Sequence, residues 1–313
     1  MIASGFEGWP RGPLHLAIGV FDGVHRGHQE LVRRLRAGAL AEGALPVAAS
    51  FDPLPIQVLA PGAPSSALSD ASERAGLLRS AGAEAVVLFA FDQAFAALAA
   101  RDFAARIAAA GDVRRVVVGA DFHFGHDREG DVGALRDLGR EHGFGVEVVD
   151  AVSADGEPIS STRIRNLLVA GDVEGAAALL GRSYCVPGRI VHGAKRGRAL
   201  GYPTVNVATP PERLLPRDGI YATRVIVSGA SHPAATSLGL RPTFGGTERV
   251  LESYLLDFSG DLYGAEVGTE FVARIRDELR FDSAEALRER IATDVQAARR
   301  ALRYNPPREI SNR

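Results

Sequence analysis

The segment Leu14–His28, LHLAIGVFDGVHRGH, decides the fold of the first half of the chain. Leu14–Val20 is a short apolar run that predicts a buried strand, and the spacing of apolar residues after the turn predicts a helix over His28–Gly43. Strand-like and helical segments then alternate as far as residue 152. This alternation indicates a parallel sheet covered by helices on both faces, in which ligands bind beyond the carboxyl ends of the strands.

The remaining elements follow the same logic. Further strands are predicted over 45–51, 85–91, 113–119 and 146–152, and further helices over 71–82, 102–110, 132–143, 161–169 and 173–180. From Tyr184 to about Phe281 the short runs are rich in Val, Ile, Tyr and Thr, which favours an antiparallel sheet or a small barrel.

A helix closes the predicted fold. Asp282 and Glu285 form a capping pair at its start, and its apolar stripe comprises Leu287, Ile291, Val295, Ala298 and Leu302. We therefore predict two domains, over residues 1–182 and 183–313.

Composition limits the possible functions. The 313 residues carry a net charge of −2, so no overall positive field attracts nucleic acid or an anionic membrane. Cys185 is the only cysteine, which excludes a disulfide framework or a thiolate metal cluster within one chain. We expect a cytoplasmic protein that acts on small molecules, with no nucleic-acid or membrane partner, as a monomer or weak homo-oligomer.

Glycines and histidines fill the turn after the first predicted strand. The glycines let the backbone approach a bulky anion, and the start of the following helix supplies free N–H groups. His25 and His28 can place two imidazole donors on one triphosphate and stabilise charge during nucleotidyl transfer. A metal pair or an exposed turn would show the same spacing. The predicted nucleotide-binding residues here are Gly19, Phe21, Asp22 and Gly23.

Two later segments can contribute to the same site. A predicted helix start carries Ser161, Thr162, Arg163 and Arg165. Arginine forks match pyrophosphate oxygens, although a capped helix with exposed arginines would look the same. Asp121, in the segment GADFHFG at 119–125, can accept a hydrogen bond from a ribose hydroxyl or an adenine amine. That segment can equally be a loop with two core phenylalanines.

The second half lacks the Walker sequence G-x-x-x-x-G-K-[ST], so any phosphate-binding segment there is of another kind. The candidate is a glycine-rich run around the only lysine of the chain, with Gly193, Lys195 and Gly197; a basic hairpin turn is the alternative. Thr204 and Asn206 share one face of a predicted strand and offer hard oxygen ligands suited to Mg²⁺ and phosphate. Threonine is also common in strands for packing reasons.

Glu252 is the candidate general base of the second half. In VLESYLLD, residues 250–257, it shares a face with Val250 and Tyr254, and apolar surroundings would raise its affinity for protons. The alternate face is also largely apolar. Periodicity therefore leaves open whether Glu252 is an exposed glutamate on a barrel.

Several of these segments resemble motifs of the bacterial bifunctional riboflavin kinase/FAD synthetases. In the first half the motifs are GVFDGVHRGHQ, FDPLP, GADFHFG and ISSTRIR, in that family's order and spacing. In the second half they are GRIVHGAKRGRALGYPTVNV, GIYA, LRPTF, LESYLLDFSGDLYG and RIRDELRFDSAEAL. The resemblance covers residues 14–302. The histidine motif alone is shared by many nucleotidyltransferases, but the two sets together are highly specific.

The resemblance implies a Rossmann-like nucleotidyltransferase domain followed by a six-stranded barrel domain with a C-terminal helix. The first would adenylylate FMN to FAD with ATP and release pyrophosphate, and the second would phosphorylate riboflavin to FMN with ATP and Mg²⁺. Glu252 would be the catalytic base, and Thr204 and Asn206 the magnesium and ATP residues. The flavin would lie near Phe124, Arg276 and Phe281.

Three other functions compete with this one. The chain can be a riboflavin kinase whose first domain only binds nucleotide, or a flavin-binding protein without catalysis. A cytidylyl- or pantetheine-type transferase would explain the histidine motif but leaves residues 184–302 without a role. This chain departs from the usual family pattern at four positions. It has Leu54 where the family has histidine, His123 where it has arginine, Val205 where it has alanine, and Ser237 where it has asparagine.

The usual family histidine at position 54 would help to hold nucleotide phosphates, and the Leu54 side chain cannot make that contact. Losing a charge-assisted contact costs about 1.5–3 kcal/mol. We therefore expect Leu54→His to raise the rate of FAD formation from FMN by about tenfold or more. Chromatography of the products measures this rate, and riboflavin phosphorylation by the same variant is the control. Equal rates before and after the substitution would contradict the prediction.

Overall fold

The computed structural model describes residues 2–60, 67–193, 201–243 and 246–304. The chain forms two compact units, Met1–Ser161 and Thr162–Arg313. This division falls after the first residue of the predicted helix over 161–169.

The first unit contains a six-stranded sheet. Its strands are β1 (Ile2–Ser4), β2 (Pro13–Ile18), β3 (Leu45–Asp52), β4 (Ala85–Ala90), β5 (Asp112–Gly119) and β6 (Gly145–Val149). All paired strands are parallel, in the order β1-β4-β3-β2-β5-β6, which confirms the predicted sheet. Strand β1 was not predicted, because three residues are too few to show a periodic pattern.

Helices cover both faces of this sheet. They are α1 (Arg26–Ala41), α2 (Pro55–Leu59), α3 (Ala71–Ala81), α4 (Gln93–Ala96), α5 (Ala100–Ala110) and α6 (Val132–His142). Along β2, Leu16 and Ile18 pack towards α5 and α6, whereas Ala17 packs towards α1 and α3. The strands therefore bury side chains on both faces, and this double burial explains why their sequences are continuously apolar.

A short hairpin follows the sheet. The predicted strand over 146–152 ends at Val149, and β7 (Ser153–Ala154) pairs with β8 (Glu157–Pro158). Asp155 and Gly156 form the turn with φ of 56° and 79°, and an Asp-Gly pair with two positive φ angles is typical of a type I′ hairpin. After this hairpin the chain reaches Ser161, where the next helix begins.

The second unit begins with helical structure and continues as a closed barrel. Its helices are α7 (Ser161–Ala170, which starts at the last residue of the first unit) and α8 (Val173–Leu180). The strands are β9 (Tyr184–Val191), β10 (Val205–Ala208), β11 (Gly219–Val227), β12 (Ala230–Thr243), β13 (Gly246–Leu255) and β14 (Glu266–Arg276). They are antiparallel in the order β10-β13-β12-β11-β14-β9, which confirms the six-stranded barrel.

The last helix, α9 (Ala284–Ala301), packs on the barrel through the predicted stripe, in which Val295, Ala298 and Leu302 are buried. Its N-cap is Ser283, whose hydroxyl accepts from the Ala286 N–H. The predicted cap at Asp282 was wrong by one residue, because serine and aspartate are both good caps and stand side by side.

A buried ion pair fixes this helix to the barrel. Arg276, at the end of β14, donates to both carboxylate oxygens of Asp294, at 2.8 and 2.5 Å, and the Asp294 side chain is only 6% exposed.

None of the helices in the described ranges combines the length and the apolar character that a membrane-spanning helix needs.

We expect Asp294→Asn to lower the free energy of unfolding of the second unit by about 3 kcal/mol, because it leaves the Arg276 cation buried without its counter-charge. Urea denaturation measures this change. Glu289→Gln, at an exposed position of the same helix, is the matched control and should change stability by less than about 0.5 kcal/mol. Equal effects of the two variants would show that the buried pair does not stabilise the unit.

Candidate active sites

The segment after β2 forms a tight, strained loop. Phe21 and Val24 have φ of 53° and 39°, which is rare for residues with side chains and especially for a β-branched valine. Gly19 lets the Phe21 ring fold back, because a Cβ there would lie 3.0 Å from the ring carbons. Backbone strain of this kind concentrates at functional sites, where the surrounding structure holds it in place.

Asp22 anchors this loop. Its carboxylate is buried and accepts from the backbone N–H groups of Leu68 and Ser69 at 3.0 Å, and the Ser69 hydroxyl donates to it at 3.2 Å. The Gly23 N–H donates to the same hydroxyl at 2.9 Å. Asp22 was predicted from the sequence to bind nucleotide; in the structure its side chain holds two segments of the protein together.

Side chains from three other positions hold the carbonyl groups of the loop. Each bond is 2.9 Å long: Ser50 Oγ to Val20 O, Ser161 Oγ to Asp22 O, and Gln29 Nε2 to Val24 O. The predicted residue Ser161 therefore contacts the histidine-bearing loop directly. The sheet, helix α1 and the start of α7 together fix the position of this loop.

His25 and His28 stack face to face, with ring centroids 3.6 Å apart. His25 is the N-cap of α1 and accepts from the His28 N–H through Nδ1 at 3.4 Å. In the neutral ring its proton is consequently on Nε2, which is a donor. Gly27 makes room for the His25 ring, since a Cβ there would lie 3.1 Å from it.

The environment of His28 keeps its imidazole neutral. Burial, followed by the nearby charge of His25, holds the pKa of His28 well below its usual 6.5. Phe21 packs edge-on against the His28 ring, with centroids 5.2 Å apart. Among the described residues His28 Nδ1 is buried without a hydrogen-bond partner. The pair can therefore donate hydrogen bonds to an anion at neutral pH without carrying two adjacent positive charges.

The other residues predicted for the first site, and Leu54, have the following surroundings. Asp121 is exposed and its carboxylate turns back over Gly119, where a Cβ would lie 3.0 Å from Oδ1. Phe124 is 7% exposed and packs against Phe103 in the core. Leu54 is buried at the start of α2. Thr162, Arg163 and Arg165 belong to the second unit and to helix α7.

The barrel brings together the three residues predicted for the second site. Asn206 on β10 is directly opposite Glu252 on β13 in the strand register. The Thr204 hydroxyl donates a hydrogen bond to Glu252 Oε1. The hydroxyl, amide and carboxylate thus form one cluster, as the sequence predicted.

Burial shows which face of the barrel carries this cluster. Leu251, Ser253 and Leu255 fill the barrel interior and are at most 5% exposed, whereas Glu252 between them is half-buried on the outer face. Asn206 is 8% exposed. Gly193 lies directly against its amide, because a Cβ there would approach Asn206 Nδ2 to 1.9 Å. The predicted residues Lys195 and Gly197 lie outside the described residues.

The cluster belongs to a longer row across the outer face of the barrel. Its successive register partners are Val191, Asn206, Glu252, Ser237, Ile220 and Arg276. Neighbouring strands are about 4.8 Å apart, so Arg276 is roughly 14 Å from Glu252 along the sheet. Its guanidinium binds Asp294, and Phe281 is half-buried beyond the strand end.

One residue near this row, Glu278, was not predicted from the sequence. Glu278 extends over β12, where a Cβ on Gly239 would approach its carboxylate to 2.0 Å. The Ser237 hydroxyl donates to Glu278 Oε1 at 3.4 Å. No local pattern indicates this contact, because the two residues are 41 positions apart in the chain. Ser69 was missed for a similar reason, because it is 47 positions from Asp22.

A parallel α/β unit with a strained, histidine-bearing loop, followed in the chain by a barrel with a hydroxyl–amide–carboxylate cluster, is the arrangement of a two-domain transferase. Comparison with protein-family models agrees: residues 11–163 match FAD synthetase and residues 180–302 match riboflavin kinase. The chain belongs to the bifunctional riboflavin kinase/FMN adenylyltransferase family.

Relatives with that name span nearly the whole chain. The enzyme of Pseudomonas fluorescens is 42% identical over 284 residues, which are 90% of this chain and 91% of the relative. That of Escherichia coli K12 is 35% identical over 294 residues, covering 93% and 94%. A crystal structure described as a macrolide-efflux protein from Streptococcus pneumoniae superposes with a TM-score of 0.88 at 32% identity, covering 95% and 98%.

The lowered pKa of His28 leads to a test. We expect its ¹³Cε1 signal to titrate below the ordinary value of 6.5, and His28→Gln identifies the signal. Between the two pKa values the unfolded chain binds a proton that the folded chain does not. His28 should therefore make the first unit less stable as the pH falls below about 6.5. Titration at or above 6.5 would contradict the proposed environment.

Proposed function

We propose that the chain phosphorylates riboflavin to FMN in the barrel unit and adenylylates FMN to FAD in the α/β unit. Family membership over the whole chain supports both activities. The observation that carries the proposal is that each unit has its own assembled polar cluster, His25 with His28 in one and Thr204, Asn206 and Glu252 in the other.

In adenylyl transfer, a phosphate oxygen of FMN attacks the α-phosphorus of ATP, and the bond to pyrophosphate breaks. The attacking phosphate is already anionic, so the reaction needs no protein nucleophile. It needs oriented phosphates and donors placed where negative charge grows. His25 and His28 suit this role as donors beside the start of α1, with His28 held neutral by its lowered pKa, and the helix supplies N–H groups and partial positive charge.

In riboflavin phosphorylation, the terminal ribityl hydroxyl attacks the γ-phosphorus of ATP and ADP leaves. Glu252 accepts the hydroxyl proton as general base. Thr204 fixes the carboxylate by donating to Oε1, which leaves the lone pairs of its own oxygen free. Hydroxyl, amide and carboxylate oxygens are the hard donors that Mg²⁺ prefers, so Thr204 and Asn206 would hold the ion, which neutralises phosphate charge when bound.

The two activities can be separated by substitution at one residue in each unit. With riboflavin, ATP and Mg²⁺, His28→Ala should still form FMN and lose FAD, because its barrel unit is unchanged. Glu252→Ala should form no FMN from riboflavin, yet should convert added FMN to FAD. Loss of a general base is expected to lower the rate by about 10²–10⁴-fold. Chromatography of the flavin products measures both reactions.

Glu252→Gln and His28→Gln provide controls that preserve much of each side-chain volume. The wild-type chain can be given riboflavin or FMN as the starting flavin. If it forms FMN from riboflavin but forms no FAD from either of them, its function is riboflavin phosphorylation alone. Tight flavin binding without ATP consumption would instead favour a non-catalytic flavin-binding protein.

A further inference from the structure

Arg74 is a buried cation that neither polar cluster contains. It lies in the first turn of α3 and is only 1% exposed. Its Nη2 donates to the backbone carbonyl of Phe51, near the end of β3, at 2.5 Å. Within the described ranges Nε and Nη1 are also buried and have no hydrogen-bond partner.

This position is energetically unfavourable for a guanidinium. Burial removes its hydration and lowers the pKa of Arg74, although arginine stays charged at physiological pH because its ordinary pKa exceeds 12. The first turn of a helix also carries partial positive charge, which repels a cation. Unsatisfied buried N–H groups add a further cost. A buried arginine here needs a compensating interaction.

The compensating charges are carboxylates around the histidine-bearing loop. Asp22 is the largest attraction, followed by Asp52, Asp70 and Glu73. Of these four only Asp22 is buried, whereas Asp52 and Asp70 are exposed and Glu73 is half-buried. A buried opposite charge is screened least by solvent and salt, so the attraction to Asp22 matters most.

Asp22 is also the residue that holds the loop through Leu68 and Ser69. Arg74 joins α3, which begins directly after the Asp22 partners Leu68 and Ser69, to the end of β3 through the Phe51 carbonyl. Asp22 is also its strongest electrostatic attraction. We propose that Arg74 is a positioning residue for adenylyl transfer: its buried guanidinium holds the Asp22 loop against β3 and so sets the location of His25 and His28. This inference rests on the proposed adenylyltransferase activity.

Arg74→Met tests the inference by replacing the cation with an apolar side chain of similar length. The rate of FAD formation from FMN should fall by about 10- to 100-fold, because a displacement of about 1 Å in a catalytic group has an effect of that size. Riboflavin phosphorylation should be unchanged. Arg79→Met, at an exposed position of the same helix, is the matched control and should leave both rates unchanged.

Two measurements separate positioning from a general loss of stability. Rates are measured well below the unfolding temperature of each variant, with the folded fraction determined by circular dichroism. The ¹³Cε1 signal and pKa of His28 should shift in Arg74→Met and stay constant in Arg79→Met. A rate that falls only in proportion to the folded fraction, with an unchanged His28 signal, overturns the inference.

Asp22→Asn tests whether Arg74 influences FAD formation through Asp22. If Arg74 acts through Asp22, the double variant Asp22→Asn with Arg74→Met should lose less activity than the product of the two single losses. Independent, multiplicative losses would overturn the inference. Arg74→Lys keeps the charge without the fork and should retain more FAD formation than Arg74→Met. If Arg74→Met does not fold, Arg74→Gln, which keeps a hydrogen-bond donor without the charge, carries the test, and a wild-type rate and His28 signal in it overturn the inference.

The outcomes also distinguish this inference from the proposed function. A wild-type chain that forms no FAD from FMN would remove the adenylyltransferase proposal itself. A wild-type chain that forms FAD, together with an Arg74→Met variant of equal rate, would overturn only the role of Arg74.

Discussion

The buried carboxylate of Asp22 is the constraint on which the first site depends. It binds two backbone N–H groups and the Ser69 hydroxyl, so the loop after β2 cannot move away from the segment before α3. The positive φ angles of Phe21 and Val24 are held by that attachment. Because the loop is fixed at Asp22, the histidine pair at the start of α1 is presented in one place, which a site that works by positioning requires.

In the second unit, the site residues are held in position by a different interaction. Strand register, rather than a buried carboxylate, brings Asn206 opposite Glu252 and sets Thr204 within hydrogen-bond distance. A shift of one residue would move Glu252 into the barrel interior, where Ser253 now lies. The closed barrel prevents such a shift because every strand has two partners, and the hydroxyls of Thr223, Thr236 and Ser253 bond to one another inside it.

Separate clusters have a functional consequence. The FMN made in one unit is the substrate of the other, yet the residues proposed to handle phosphate differ between the two units. The proposed reaction of the barrel requires a base, since an alcohol is a poor nucleophile, and Glu252 is the proposed one. The proposed transfer to a phosphate requires donors without a base, and His28 in the α/β unit has a lowered pKa. The chemistry of the nucleophile therefore explains why the two clusters contain different residue types.

The sequence by itself determined the parallel sheet, an antiparallel sheet or small barrel, and the candidate residue types of both sites, because hydrophobic periodicity and glycine-rich turns are local signals. The six-stranded barrel was implied by the resemblance to a family. The sequence also identified Thr204, Asn206 and Glu252 as candidate site residues of the second unit. It did not reveal the exposure of Glu252, the anchoring role of Asp22, or the buried cation of Arg74. Tertiary structure alone decided these, because each depends on partners 23 to 48 residues away in the chain, and strand register and burial bring such partners together.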